Sequence, residues 1–238
     1  MNTAEFSNEF DILYNNITSN MAAGLSEYDK SVFLTRAQED IIISFYSGRN
    51  TNGVSFEETE EARRYLDILT KSVELSPMIV QPESVYSISS NSVFFTAPNN
   101  IWFITYEQVM LLDTELPYGN LSEAIVVPTT QDSLFRRKRN PFKTPNDNKV
   151  YRLSITPAAS DITGNTLIIE LVSKYNIDKY KLRYLSQPKP IILETLIGGA
   201  TINGVTQRTE CELPKVVHTA ILKLAVDMAK MVYDSQRK

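Results

Sequence analysis

Residue types that commonly build catalytic and metal sites are scarce in this sequence. Of its 238 residues, one is cysteine and one is histidine, Cys211 and His218. A single cysteine excludes an intrachain disulfide, and the ligand spacing of a structural zinc site is absent. The two residues have the types of a nucleophile and its base, but Cys211 stands just before Pro214 and His218 lies one turn into an apolar helix pattern. We interpret them as a small buried thiol and a structural or surface histidine.

Glycine is also scarce, and none of the eight glycines belongs to a phosphate-binding loop, a dinucleotide fingerprint or a nucleophile elbow.

Four glutamates lie in "EETEEARR", residues 57–64. A metal site or an acid/base pair needs carboxylates that converge in a partly dry cleft. At the start of an amphipathic helix, such glutamates are more typical of a solvated first turn that the helix dipole favours. We expect no catalytic residue, no cofactor and no metal.

Long apolar runs are missing as well. No run approaches the roughly 20 residues that span a bilayer, and "MNTAEFSNEF" lacks the basic and apolar regions of a secretory signal. The net charge is −4, whereas general nucleic-acid binders usually carry a basic domain or face. These features favour a chain made and used in the cytosol, with no membrane partner.

The first seventy-odd residues predict helices. Residues 4–19 carry apolar side chains at three- and four-residue spacing. Capping-box patterns at 26–29 and 55–58 predict the starts of two further helices, and Gly48 predicts a left-handed stop between them.

Beyond these helices, short β-branched and aromatic runs predict strands. Residues 166–185 are interpreted as one antiparallel pair joined at "YNID", and "NG" at 203–204 predicts a two-residue turn. The strand "KLRYL" precedes Pro188 and Pro190, which cannot donate to a ladder, so this segment is expected at a sheet edge or a strand end.

The overall prediction is an α+β fold. N-terminal helices occupy residues 1–75, a mainly antiparallel β-sheet region occupies 76–210, and a C-terminal helix at 211–238 packs with the N-terminal helices. We expect one structural unit with two lobes.

The most unusual charge pattern is "SLFRRKRNPFK", residues 133–143. Its five cations are Arg136, Arg137, Lys138, Arg139 and Lys143. They are candidates for contact with DNA phosphates or with an acidic surface of a partner, although a solvated turn accounts for them equally well. Phe135 and Phe142 bracket the basic run, which favours an ordered segment with aromatic anchors and a protein partner over DNA.

Tyrosines and a proline-rich crossover provide a second set of candidate residues. Five residues are candidates for contact between subunits: Tyr175, Tyr180, Pro188, Lys189 and Pro190. Large interfaces favour tyrosine, but the two tyrosines fit a core position equally well. Tyr184 sits among strand apolars and is expected in the core.

Four segments, in this order, resemble virion structural proteins of tailed bacteriophages, especially crAss-like phages. The segments are "EYDKSVFLTRAQEDIIISFYSG", "VVPTTQDSLFRRKRNPFKTPN", "KYKLRYLSQPKPIIL" and "CELPKVVHTAILKLAVDMAK". They cover a little under half of the chain, and their shared order makes the resemblance more specific than any one of them.

The resemblance implies a non-enzymatic adaptor or ring subunit below the portal, at the head–tail junction or in the upper tail. Such proteins form cyclic homo-oligomers, commonly dodecamers, around the DNA channel. The implied partners are copies of the chain itself, the portal, adjacent tail or ring proteins, and packaged DNA that passes non-specifically. The implied location is the virion, after synthesis in the host cytoplasm.

Two other functions stay open from the residues alone. One is a virion-associated hydrolase that uses the acids at 57–61 or the Cys211 and His218 pair. The other is a nucleic-acid-binding module that uses the basic segment at 136–143.

Overall fold

A computed structural model confirms the α+β class, with helices and strands in two compact units. The helical unit comprises Met1–Leu69 and Pro188–Lys238, and the sheet unit comprises Thr70–Gln187. The structure describes residues 1–15, 24–49, 56, 58–78, 92–116, 121–157 and 166–236.

Four helices and a short 3-10 turn are described in the helical unit. They are α1 (Thr3–Asn15), α2 (Glu27–Ser47), α3 (Glu60–Leu66), the 3-10 turn Asp67–Leu69, and the C-terminal helix Lys215–Gln236, named α5 because α4 lies in the sheet unit.

Local signals fix both ends of α2. The Ser26 side chain accepts a hydrogen bond from the Asp29 N–H, the Asp29 carboxylate accepts one from the Ser26 backbone N–H, and Gly48 ends the helix at φ 71°. Both predictions are therefore confirmed. The third helix begins later than predicted, with Thr59 as its cap, and Ser55 lies outside the described residues.

The C-terminal helix packs with the N-terminal helices, as predicted. α5 contacts α1 and α2. Its inward face buries Val217, Ile221 and Ala225, and α1 and α2 contribute fully buried Phe10 and Leu34. Each large apolar side chain buried in this way stabilises the fold by about 1.5–3 kcal/mol.

An extended segment at 189–193, predicted as part of the β region, belongs instead to the helical unit. Three α2 side chains that lie one turn apart hold its backbone: Ser31, Thr35 and Gln38. The Thr35 hydroxyl accepts from the Ile191 N–H at 3.1 Å and donates to the Ile191 carbonyl at 3.3 Å. Ser31 Oγ accepts from the Leu193 N–H at 3.0 Å. These bonds replace a strand ladder, which is why the sheet ends earlier than the sequence pattern predicts.

The predicted "NG" turn is confirmed, and it also lies in the helical unit. Asn203 has φ 50° and Gly204 φ 77°. Ile202 and Val205 exchange backbone hydrogen bonds of 3.0 and 2.9 Å across the turn. Two consecutive positive φ values match the type I′ turn that Asn-Gly favours.

The sheet unit contains seven described strands and one helix. They are β1 (Thr70–Leu75), β2 (Ser92–Pro98), β3 (Ile101–Leu112), β4 (Leu121–Pro128), α4 (Gln131–Lys138), β5 (Lys149–Pro157), β6 (Thr166–Val172) and β7 (Ile177–Ser186).

These strands form one curled sheet in the order β1-β7-β3-β4-β5-β6-β2. All neighbours are antiparallel except β4 and β5, which are parallel. Parallel neighbours need a crossover connection, and α4 supplies it. The curl brings the two edges together, since Pro77 forms a bridge with Phe95 and the Met78 N–H donates to the Phe94 carbonyl at 2.9 Å.

One strand prediction is wrong in this topology, and another is confirmed in one of its two alternatives. β6 and β7 do not pair: β6 lies between β5 and β2, and β7 lies between β1 and β3. The connection between them is bonded to the end of β3 instead, where the Leu112 N–H donates to the Asn176 carbonyl at 3.0 Å. β7 is not an edge strand, because β1 pairs with it on the side away from β3. β1 lies in residues that were predicted as the end of the helical region. Pro188 and Pro190 follow the end of β7, as the alternative interpretation expected.

The sheet unit buries apolar side chains on both sides of the sheet. The larger cluster includes Phe95, Val109, Leu111, Leu171 and Tyr180. A smaller cluster on the other face consists of Leu134, Tyr151, Leu153 and Val172, so α4 is held to the sheet through Leu134. This second cluster positions the basic segment.

No helix in the described ranges has the length and apolar character needed to cross a membrane.

Candidate functional site

The basic segment forms the last turn of α4 and the turns that follow it. The Thr130 side chain caps α4 by accepting from the Ser133 N–H at 3.4 Å. Arg136, Arg137 and Lys138 occupy the last turn, where cations interact favourably with the helix dipole. The segment is held in place beyond the helix, since the Tyr151 hydroxyl donates to the Lys143 carbonyl at 2.7 Å.

The prediction that Phe135 and Phe142 anchor the basic segment is wrong. Phe135 is 59% exposed and Phe142 is 92% exposed, whereas the neighbouring Leu134 is completely buried. A helix places only one side of each turn against the sheet, and Leu134 takes that position. The two phenyl rings are therefore part of the surface that flanks the cations. We call these two rings and the five cations at 136–139 and 143 the basic surface.

Two of the arginines are oriented by aromatic rings of the same chain. The Arg137 guanidinium carbon lies 5.0 Å from the centroid of the Tyr151 ring, and that of Arg139 lies 4.7 Å from the Phe135 ring. Stacked guanidinium groups keep their N–H edges available for carboxylates or phosphates. The basic surface is thus partly preorganised.

A shallow, open cavity of about 250 Å³ lies within the basic surface. Its lining residues are Ser133, Arg136, Arg137, Asn140 and Lys143. Three cations, a hydroxyl and an amide converge there, which is the donor set that carboxylate and phosphate oxygens accept. The site can bind an anionic group, and its openness fits a group carried by a macromolecule.

Four of the five candidate subunit-contact residues are buried within the chain. Tyr180 is 0% exposed and Tyr175 is 9% exposed, and Pro188 and Pro190 are buried as well. Lys189 is exposed and forms an ion pair of 3.0 Å with Glu212. A role of these residues between subunits stays a prediction, and Lys189 is the one with a side chain at the surface. The core position of Tyr184 is confirmed.

Sequence analysis missed a buried polar group in the sheet unit. The Tyr180 hydroxyl donates to Glu107, and Arg152 Nε lies 2.7 Å from the same carboxylate oxygen, an ion pair in which the N–H is not well aligned. Burial and the nearby Glu107 charge raise the pKa of Tyr180. The signal was present in β3, because strand alternation puts Glu107 on the same face as buried Val109 and Leu111.

Cys211 and His218 each have other partners. The Cys211 Sγ donates to Gln38 Oε1 at 3.2 Å, and burial raises the pKa of this thiol to about 11. A protonated thiol is a poor nucleophile. His218 Nε2 lies 2.8 Å from the Leu213 carbonyl and Nδ1 lies 2.7 Å from the Met1 nitrogen. His218 is buried, which confirms the structural interpretation, whereas Cys211 is only partly buried.

The described glutamates before and in α3 are exposed. Glu58, Glu60 and Glu61 lie at the surface, and Glu61 accepts a hydrogen bond of 2.6 Å from the Tyr65 hydroxyl. Glu57 lies outside the described residues. Within the part of the chain that the structure describes, no three His, Cys, Asp or Glu side chains are grouped as metal ligands.

Comparison with known proteins places the chain in a family. The profile of the family described as "Phage tail ring protein 3/4" matches residues 1–238. The chain is 49% identical to "Ring protein 3" of Bacteroides phage crAss001 over 232 residues, which cover 96% of this chain and 95% of that protein. It is 34% identical to "Ring protein 4/5" of the same phage, over 98% of this chain and 94% of that protein. The chain therefore belongs to the phage tail ring protein 3/4 family and is a structural ring protein of a crAss-like phage virion.

Proposed function

We propose that this protein assembles by itself and with neighbouring virion proteins into a closed ring around the DNA channel, below the portal at the head–tail junction or in the upper tail. The observation that best supports this function is the match of the ring protein family over the whole chain. The ring acts as a conduit and a joint, and it needs no catalysis, cofactor or metal. A dodecamer is the expected copy number. Its partners are copies of the chain, the portal, adjacent ring or tail proteins and passing DNA.

The two relatives favour one position in the tail over another. Identity to Ring protein 3 is 49% and identity to Ring protein 4/5 is 34%, with nearly equal coverage. Surfaces that contact different neighbours diverge when a protein occupies a different ring. The higher identity therefore supports the ring that corresponds to Ring protein 3 as the position of this chain.

The side-chain chemistry supports assembly over hydrolysis. The Cys211 thiol has a raised pKa and bonds to Gln38, while both ring nitrogens of His218 have other partners. A head-to-tail ring instead requires two different surfaces on each subunit. The basic surface is one exposed, oriented surface of the kind that such an interface uses.

DNA binding through the basic surface is a second candidate function. Arg136 and Lys143 are exposed and line an open cavity, and Lys138 is exposed as well. Phosphate contacts make affinity strongly dependent on salt. A conduit that gripped the genome in this way would slow its passage, so DNA contact is the less favoured role.

Assembly with neighbouring components tests the ring function. The purified chain is mixed with the portal and adjacent ring proteins of its phage, and the products are examined by native mass spectrometry and electron microscopy. We expect closed rings of one copy number, stacked on a neighbouring component. A chain that stays monomeric in the presence of all these proteins would overturn the proposal.

A further inference from the structure

The two units differ in charge. The helical unit contains 17 Asp and Glu and 12 Lys and Arg, whereas the sheet unit contains 11 and 12. Five of the twelve cations in the sheet unit belong to the basic surface. One copy of the chain therefore carries an acidic unit and, on its other unit, a concentrated basic surface, which is the complementarity that steers association.

Within the acidic unit, α1 carries negative charge without a basic side chain of its own. Its sequence "TAEFSNEFDILYN" contains three acids and no lysine, arginine or histidine. Asp11 is paired with Lys30 of α2, and the Glu5 carboxylate lies 3.9 Å from the Met1 nitrogen. Glu9 has no ion-pair partner in the described ranges. By contrast, the acids of α3 are followed by Arg63 and Arg64 in the same short helix.

The exposed side of α1 combines charge with apolar surface. Glu5, Glu9 and Ile12 are four and three residues apart, so they lie along one side of the helix. All three are exposed, with Ile12 at 58%. We call this side the α1 acidic face. It has the composition that complements the basic surface, with carboxylates for the cations and an aliphatic side chain for a phenyl ring.

Resting on the ring function proposed above, we propose that the basic surface of one copy binds the α1 acidic face of the next copy in the ring. The Glu9 carboxylate enters the cavity between Arg136 and Lys143. Ile12 covers the exposed ring of Phe142. The contact is head to tail, since each copy contributes its basic surface to one neighbour and its α1 acidic face to the other.

The exposed aromatic rings favour a protein occupant over DNA. Duplex DNA presents phosphates to a basic surface and offers no apolar surface to a phenyl ring at its backbone. Phe142 exposes 92% of its surface, and Phe135 is exposed beside Arg139. Aromatic residues and arginine are the types enriched in protein interfaces, and both are present here.

Charge reversal in two separate variants provides the test. The basic-reversed variant is Arg136→Glu with Lys143→Glu, and the acid-reversed variant is Asn8→Lys with Glu9→Lys, which leaves the Glu5 contacts with Asn2 at the start of α1 intact. Each alone is expected to lower contact formation between copies by about tenfold or more, because like charges then face each other. Mixed in equal amounts, the two variants form both contacts again in alternation, and assembly is restored.

Matched controls keep the net charge change and move it elsewhere. Lys71→Glu with Lys174→Glu reverses two exposed lysines of the sheet unit, and Glu210→Gln with Asp227→Lys makes the same net charge change as Asn8→Lys with Glu9→Lys at two exposed acids of the helical unit. Both controls are expected to assemble like the original chain. Assembly is performed with the portal and adjacent ring proteins present, and pairs of differently tagged copies are counted by native mass spectrometry.

The outcomes separate the contact from the ring function. If the original chain forms no ring, the ring function fails and the contact fails with it. If the original chain forms rings and either reversed variant does so equally well, only the contact is overturned. If the mixture of the two folded variants does not recover assembly, the basic surface binds another protein. If the basic-reversed variant forms normal rings but loses affinity for duplex DNA, the basic surface binds DNA. Both results overturn the contact.

A cross-link measures the same contact without charge reversal. In a Cys211→Ser background, Glu9→Cys and Lys143→Cys are combined in one chain and the assembled ring is oxidised. We expect a ladder of disulfide-linked multimers, since each copy is bonded to the next. Assembled rings that give only monomers after oxidation contradict the proposed contact.

Discussion

The helical unit and the sheet unit place polar groups in their interiors in different ways. In the helical unit, buried Lys30 lies 2.7 Å from Asp11 and 2.9 Å from Glu27, and both carboxylates remain partly exposed. In the sheet unit, Arg152 and Glu107 are both largely buried, with side-chain exposures of 14% and 6%. If Lys30 is replaced, water can therefore solvate the Asp11 and Glu27 carboxylates. If Arg152 is replaced, water hardly reaches the Glu107 carboxylate.

The largest expected effect is in the sheet unit. Arg152→Met leaves the Glu107 carboxylate buried, with the Tyr180 hydroxyl as its remaining partner among the described residues. We expect a loss of about 3–5 kcal/mol in the free energy of unfolding. Trp102 in β3 is the only tryptophan of the chain, so urea unfolding followed by its fluorescence reports on this unit.

A double variant provides the control for this prediction. Replacing Glu107 by Gln together with Arg152→Met removes both charges, and most of the lost stability is expected to return. A loss below about 1 kcal/mol for Arg152→Met alone would mean that water reaches Glu107, and the contrast between the units would disappear.

An intermediate effect is expected in the helical unit. Thr35→Val keeps the side-chain shape but removes the hydroxyl that bonds both backbone groups of buried Ile191. Unpaired buried groups of this kind cost about 1–3 kcal/mol. Unfolding followed by circular dichroism of the helices measures this loss. Thr219→Val, on an exposed position of α5, is the matched control, and an equal loss in both would show that the 189–193 segment does not depend on Thr35.

The smallest effect concerns pH. Burial lowers the pKa of His218 in the folded chain, below the value of about 6.5 in an unfolded one. The contribution of neutral His218 to stability is therefore complete above pH 6.5 and is lost as the pH falls through the folded pKa. The slope is at most about 1.4 kcal/mol per pH unit for one proton.

His218→Gln isolates this slope, because a glutamine does not titrate. Urea midpoints of both proteins are compared at pH 7.5 and pH 5.0. We expect the original chain to lose more stability than the variant between these two values, because the variant lacks the titrating imidazole. Equal losses would contradict the burial of the neutral ring.

Features that depend on a few neighbouring residues could be predicted from the sequence. The Ser26–Asp29 capping box, the Gly48 stop and the Asn203-Gly204 turn are such features, and all three are confirmed. Each depends on local backbone sterics and hydrogen bonds.

Features that depend on distant partners could not be predicted in this way. β1 has the sequence "TKSVEL", whose apolar alternation is limited to Val73 and Leu75, and it forms because β7 offers a free ladder edge. The pairing of β6 with β2 and β5 joins residues far apart in sequence. At the basic surface, the five cations were found by their composition. Which of the neighbouring apolar residues faces the sheet was decided by packing, with Leu134 inside and Phe135 outside.

The pairing of Thr70 with Leu185 has a consequence for the exchange of whole units between proteins of this family. The polypeptide enters the sheet unit at Thr70 and leaves it after Gln187, on adjacent strands that lie about 4.8 Å apart. Two neighbouring cut points thus delimit the whole unit, as in domains that tolerate insertion or exchange. A new sheet unit could be transplanted between family members at these junctions while the host helices keep their sequence.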